Sequence, residues 1–256
     1  MKYRFSFIVL ACMTVLLLCG CAEASKAKLH AAVEEFNKRC PVMADQFTTI
    51  EKVEYEGDVV TLYVLVDSKF SDIDALRENK ELVKGNILAS YRRGDANVKT
   101  FLESVTDAEA DLKAVYRNQA DNSLSITITC DELREAMNSK GGPSLEDMDR
   151  MIQTTNLSLP VKMNEFITLT AMIKEGNCVY YTYDVVGPIC DKISQNIEGA
   201  KAETLVNLKN LGPTDKNQMR PIYANGMSLG YRYHNVDDDT NIEFVYTNSE
   251  LSEVFE

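Results

Sequence analysis

The sequence predicts a mixed α+β protein built from two tandem copies of one module. Three observations carry that prediction: a stretch of motifs that recurs at a fixed offset, strand-like segments of alternating polarity around tight turns, and amphipathic helical segments between them. The recurrence is the most informative. Asn37-x-x-x-Pro41-Val42 returns as Asn156-x-x-x-Pro160-Val161. At the same offset Phe47 meets Phe166, Thr49 meets Thr168, and Glu56-Gly57 meets Glu175-Gly176. Further on, Tyr116-Arg117 matches Tyr231-Arg232, and Glu132-Leu133 matches Glu250-Leu251. A repeat of roughly 110 to 120 residues is too long for a solenoid unit and suits two domains in tandem.

Each copy opens with an amphipathic helix, with Leu29, Ala32, Val33 and Phe36 on one face of the first and Met148, Met151 and Ile152 on the second. Ser144, three residues before Asp147, supplies a helix start. Two strands follow in each copy. Phe47–Tyr55 and Val59–Val66 flank Gly57-Asp58, and Phe166–Ile173 and Cys178–Val185 flank Gly176-Asn177. Glycine beside Asp or Asn provides the positive φ of a tight hairpin. One long helix is predicted over Asp72–Tyr91 and its counterpart over Cys190–Leu208, stopped by Gly94 and Gly212-Pro213. A less regular stretch then leads to a second hairpin. Its last strands alternate, with Leu124, Ile126, Ile128 and Cys130 inward in one copy and Ile242, Phe244 and Tyr246 inward in the other. The expected architecture is therefore two repeats, each a roughly four-stranded antiparallel sheet of two hairpins packed by helices. The divisions read as a leader at 1–20, a first repeat at 21–138, a linker at 139–143 (Ser-Lys-Gly-Gly-Pro) and a second repeat at 144–256.

The leader carries its own chemistry. Lys2 and Arg4 precede an apolar run from Phe5 to Leu18. That run is shorter than the roughly 20 residues a spanning helix needs and has the flanks of a signal peptide. It ends in Leu18-Cys19-Gly20-Cys21, which resembles the lipobox of bacterial lipoprotein precursors. The resemblance implies cleavage before Cys21, attachment of a diacylglyceryl group bearing palmitate-type chains to its thiol, and a place at the membrane of the cell envelope. Ala22-Glu23-Ala24-Ser25 lacks an aspartate after the cysteine. By resemblance to enteric lipoproteins, that favours the outer membrane over the inner. The Asn-x-x-x-Pro entry and the Glu-Gly hairpin give the mature part a resemblance to duplicated-domain envelope lipoproteins of Bacteroidota-like bacteria, which implies no particular activity.

Composition narrows the function. Loss of Lys2 and Arg4 takes the net charge from −12 to −14. Such a chain is repelled by nucleic acid and by anionic headgroups, so the lipid and not a basic patch would hold it to a membrane. Only two histidines are present, His30 and His234, in different copies. No zinc spacing, glycine-rich phosphate loop or nucleophile–base pair is legible, and no catalytic residue, metal or cofactor is predicted. Cys40, Cys130, Cys178 and Cys190 remain after the anchor and allow two disulfides or buried thiols. Asp237-Asp238-Asp239 reads as a solvated hairpin turn before a calcium site, and Arg93-Gly94-Asp95 as a helix end before an adhesion tripeptide. The candidate partner surface comprises Tyr180, which lies opposite the core-facing Tyr181 and Tyr183, with Arg117 and Arg232 on the outer faces of their strands. These features point to a non-catalytic envelope protein that binds a protein, peptide or glycan. The alternative is an envelope hydrolase using paired carboxylates on wall or carbohydrate material.

Overall fold

The structure, a computed structural model, describes residues 22–256 apart from 45–47, 68–71, 94–95, 121 and 140–141. The leader with its lipobox and Cys21, together with Phe47, Gly94-Asp95, Asp121 and part of the linker, lies outside the described residues.

The first repeat begins with helix α1 (22–37) and runs through β1 (Val42–Met43), β2 (Thr48–Glu56), β3 (Val59–Val66), α2 (Ile73–Glu78), α3 (Lys80–Arg93), α4 (Ala96–Asp107), β4 (Asp111–Arg117), β5 (Ser123–Ile128) and α5 (Cys130–Asn138). The second repeats the order with α6 (Leu145–Asn156), β6 (Val161–Lys162), β7 (Ile167–Glu175), β8 (Cys178–Val185), α7 (Gly187–Gln195), α8 (Ile197–Lys209), α9 (Pro213–Ala224), β9 (Ser228–Asn235), β10 (Asn241–Tyr246) and α10 (Asn248–Phe255). The α+β class and the tandem duplication are both present.

Each sheet holds five strands in simple sequence order, where four were expected. The additions are the two-residue edge strands β1 and β6, too short to show alternation in sequence. Both predicted hairpins form in each copy, but β3 and β4 pair in parallel, as do β8 and β9. Helices α2 to α4 are the reason, since a crossover of that length returns the chain in its original direction. The single long helix expected in each copy is broken. Asn79 leaves the helical region at φ −111°, ψ 32° and closes α2, and Asn196, at φ −151°, ψ 69°, caps α8 by accepting from Gly199 N. Cys130 is the first residue of α5 and not the end of a strand. Thr129 and Glu132 form a capping box there, matched by Thr247 and Glu250 at α10. Each box is anchored from the preceding helical layer, by Lys84 to Glu132 (2.6 Å) and Lys201 to Glu250 (2.8 Å).

The duplicated motif has a physical role. The Asn37 amide donates to Val53 O (2.7 Å) and accepts from Val53 N (2.8 Å), which ties the end of α1 to the middle of β2. Asn156 does the same to Met172 across α6 and β7, at 2.8 Å in both directions. A primary amide both donates and accepts, so it satisfies both backbone groups of one residue. Beside each clamp the strand pairing slips once, between Ile50 and Lys52 and between Leu169 and Ala171. Gly57 and Gly176 take φ +59° and +56° in the hairpin turns, the left-handed region that glycine adopts without strain.

Each repeat has its own apolar core, one around Leu29, Val53, Val60, Leu102, Leu112 and Ile126, the other around Met148, Met172, Val179, Leu229, Tyr246 and Leu251. The repeats meet where α6 lies on α3. Asp147, buried at the start of α6, pairs with Arg92 at the end of α3 and with Arg150 (3.2 Å) one turn on. Arg150 also lies over Gly85, where a Cβ would sit 2.8 Å from its Nε.

Candidate functional site: an apolar groove in the first repeat

Strand register makes the two copies comparable residue by residue. In the first repeat Leu62 pairs with Ala114 and Ala114 with Ile126, while Val64 pairs with Tyr116. In the second the same places hold Tyr181 with Tyr231, Tyr231 with Phe244, and Tyr183 with Tyr233. Tyr116-Arg117 therefore corresponds to Tyr233-His234, and not to Tyr231-Arg232 two residues earlier, because the crossover loops differ in length between the copies. These side chains face the helices in both copies. In the first copy most of them are aliphatic or small, and in the second all are aromatic.

The consequence is a difference in filled space. The helix-facing side of the first sheet borders a half-open groove of about 670 Å³, within the size range of ligand sites. Its floor is Ile50, Leu62, Val64, Leu112, Ala114 and Tyr116. Phe36 of α1, Ile87 and Tyr91 of α3, and Val98, Phe101 and Leu102 of α4 form the walls, with Val42 and Met43 at the sheet edge. Phe36 and Phe101 touch across it, with ring centroids 5.6 Å apart. The mouth carries uncharged polar side chains, among them Ser90, Thr100 and, from α9 of the second repeat, Asn217 and Gln218. Arg39 and Glu35, both at the mouth, pair with each other at 3.6 Å. Burial, with Tyr116 beside it, holds the Tyr91 phenol well above its usual range, so it stays a neutral hydrogen-bonding group.

In the second repeat the corresponding positions make a stack of rings. Tyr181–Tyr231, Tyr183–Tyr233 and Tyr231–Phe244 lie 6.0, 5.4 and 5.6 Å apart. Burial pushes the phenols of Tyr181 and Tyr233 up to about 12. Tyr181 and Tyr183 therefore belong to the core, as their parity indicated. No local motif marks the groove residues; only the Leu62/Tyr181 and Val64/Tyr183 contrasts between the two copies distinguish them in sequence.

The residues singled out from sequence lie elsewhere. Arg117 is on the outer face of the first sheet and grips Glu51 through Nε (2.8 Å) and Nη2 (2.9 Å). Arg232 is on the outer face of the second, bonded to Glu175 at 3.1 and 3.0 Å and to Glu243 at 3.1 Å. Its guanidinium sits 4.4 Å from the Tyr180 ring centroid, so Tyr180 and Arg232 form one cluster while Arg117 belongs to the other sheet. These carboxylates hold the Arg232 charge firmly, and Arg232 keeps Glu175 below the usual carboxylate range.

The remaining candidates have structural partners. His30 packs on Tyr55 with centroids 4.7 Å apart. His234 bonds Asp184 through Nδ1 (3.0 Å) and Asp239 through Nε2 (2.8 Å). Asp237 accepts from Gly187 N (2.7 Å) at the start of α7, and Asp238 accepts from the Thr240 hydroxyl (2.6 Å). The three aspartates thus close the β9–β10 turn. Among the described residues no cluster of three or more His, Cys, Asp or Glu is arranged to hold a metal. Cys40, Cys130, Cys178 and Cys190 are all unpaired thiols, pushed up by burial and so poor nucleophiles. No helix among the described residues is long and apolar enough to cross a membrane.

No protein-family model and no curated protein matches this sequence. Two solved structures are similar. One is a protein of Pseudomonas aeruginosa described as secreted, 16% identical, covering 43% of this chain and 98% of its own, with a TM-score of 0.36. The other is the type 2 secretion system pilotin of Vibrio vulnificus, 14% identical, covering 43% of this chain and 96% of its own, with a TM-score of 0.31. Neither likeness bears on the chemistry of the groove.

Proposed function

We propose that this is a lipid-anchored protein of the bacterial cell envelope that acts by binding, and that the groove of the first repeat is its recognition site. The observation that carries the reading is the contrast between two copies of one module. At matched sheet positions one copy has stacked aromatic rings and the other a groove of about 670 Å³ lined by Phe36, Leu62, Phe101 and Ala114. A duplicated fold can be stable with that space filled by its own side chains, so the open version is not required by the architecture. A concave, mostly apolar cavity is the usual form of a ligand site; here Met43 and Val98 are exposed at its edge and Val64, Leu112 and Ala114 form its buried base. The anchor rests on the apolar leader and on Leu18-Cys19-Gly20-Cys21, with Cys21 as the acylated residue. The net charge of −14 on the chain without Lys2 and Arg4 favours a lipid, and not headgroup attraction, as the means of attachment.

The groove can be tested with an uncharged apolar dye, N-phenyl-1-naphthylamine, titrated against the mature protein. Its fluorescence should rise with a saturable, single-site curve. Leu62→Tyr and Ala114→Tyr, which install the residues of the second repeat, should remove that site. Dye binding untouched by either substitution would place it elsewhere and refute the reading. Mass spectrometry of the envelope form should find Cys21 as the acylated amino terminus.

A further inference from the structure

We infer that the groove takes a long-chain fatty acid, with the hydrocarbon chain along the trough and the carboxylate on Arg39; the inference rests on the reading of the groove as the recognition site. Shape limits the occupant first. The trough of about 670 Å³ runs between the apolar side chains of β2, β3 and β4 and the helices α1, α3 and α4. Phe36 and Phe101 meet across it, with ring centroids 5.6 Å apart. With those rings in contact there is no room for a helix, a fused ring system or the paired chains of a phospholipid. An extended peptide is thin enough, but the floor strands have their backbone groups committed to the sheet, and its N–H and C=O groups would be buried unpaired. A single aliphatic chain has the right width and carries no polar group to strand.

The mouth decides the head. Glu35 and Arg39 are the charged residues that line the groove among the described residues. Lys38 donates to the Glu35 carboxylate at 2.9 Å, and the Arg39 guanidinium stands 3.6 Å from the same group, beyond hydrogen-bond reach. The other nearby acid, Glu34, acts on Lys38. Arg39 therefore keeps its planar fork of donors, which fits one carboxylate through two parallel bonds. A phosphate monoester, with a charge of about −2, exceeds what one guanidinium neutralises. In about 0.1 M salt, charges more than about 10 Å away are largely screened, so the head responds to this cluster and not to the acidity of the whole chain.

The second repeat supports the assignment by contrast. Aligned on the clamp residues Asn37 and Asn156, it has Thr155 at the place of Phe36, Ser158 at that of Arg39 and Thr154 at that of Glu35. Where aromatic rings fill the sheet face, the wall ring and the mouth cation are both missing. The open trough and the arginine occur in the same copy.

Displacement of N-phenyl-1-naphthylamine from the mature protein distinguishes the heads, with palmitate, methyl palmitate, hexadecylamine and palmitoyl lysophosphatidic acid each used below its aggregation threshold. Palmitate should bind about fivefold more tightly than its uncharged methyl ester, the upper worth of an exposed ion pair, and hexadecylamine should bind no better than the ester. Arg39→Gln should bring palmitate down to the level of the ester. The Arg39 side chain is 68% exposed, so this substitution tests the head without disturbing the core. Ala114→Tyr should abolish displacement by all four. Equal binding of palmitate and its ester, palmitate binding indifferent to Arg39→Gln, or tighter binding of the amine or the phosphate would overturn the inference. If the dye binds and Ala114→Tyr expels it while palmitate does not compete, the groove stands as a site and the fatty acid assignment falls.

Discussion

Replacing Asn37 with alanine should cost far more than an exposed helix-end asparagine would. Its amide makes bonds of 2.7 and 2.8 Å to the carbonyl and N–H of Val53, a residue 1% exposed in the middle of β2. Removing the amide leaves both backbone groups unpaired. Each buried unsatisfied group costs about 1–3 kcal/mol, and water entering at the end of α1 recovers part of it. A net loss of about 2–4 kcal/mol is expected on that basis. Asn156→Ala removes the equivalent pair to Met172 and should cost a similar amount in the second core. The two clamps lie in separate cores, so the double variant should lose roughly the sum, to within about 0.5 kcal/mol. Urea unfolding of the mature protein followed by circular dichroism and tyrosine fluorescence, in a chain that contains no tryptophan, measures all three. Losses under about 0.5 kcal/mol, the range of ordinary surface changes, would refute the idea that the repeated asparagine locks helix to strand.

Three further outcomes follow from the charged groups. Asp147→Ala removes the buried carboxylate shared by Arg92 and Arg150 and half of the Ser144 capping box. It should cost about 1–3 kcal/mol, since both arginines are part-exposed and Arg150 keeps Glu146 at 2.6 Å. Calorimetry should then show the repeats melting less cooperatively as α6 loosens from α3. Glu250 is held down to about 2, chiefly by Lys201 and then by the Thr247 N–H. It therefore adds stability above its ordinary value near 4.5 that is lost as pH falls towards 2, and Glu250→Gln should flatten the acid limb of the stability curve. His234 is raised above 6.5 by hydrogen bonds to Asp239 and Asp184. Its stabilising contribution is complete below 6.5 and lost as pH rises through the higher folded value, so amide protection in the β9–β10 turn, taken relative to the base-catalysed intrinsic rate, should fall over that window in the wild type and stay level in His234→Ala.

Much of the fold was legible because its signals are local. The Asn-x-x-x-Pro recurrence, the Gly57 and Gly176 turns and the Ser144 start each state their structure within a few residues, and each is found where expected. The parallel centre of each sheet was not legible, since pairing of β3 with β4 depends on a crossover through three helices. The breaks at Asn79 and Asn196 hid inside continuous apolar periodicity. The capping boxes at Thr129 and Thr247 were masked by the strand alternation running into them. The groove was harder still. Ala114 and Leu62 are ordinary core residues by type, and only register against Tyr231 and Tyr181 shows that the first repeat is underfilled where the second is full. Arg117 and Arg232 stood out as strand-borne charges, and the structure surrounds them with Glu51, Glu175 and Glu243.

Methyl and aromatic NMR of the mature protein during titration with the naphthylamine dye is the most direct test of the groove as the binding site. Shift changes and dye contacts should gather at Phe36, Leu62, Phe101 and Ala114. The same changes gathered at Tyr181, Tyr231 and Phe244, or on the outer face around Tyr180 and Arg232, would contradict the account.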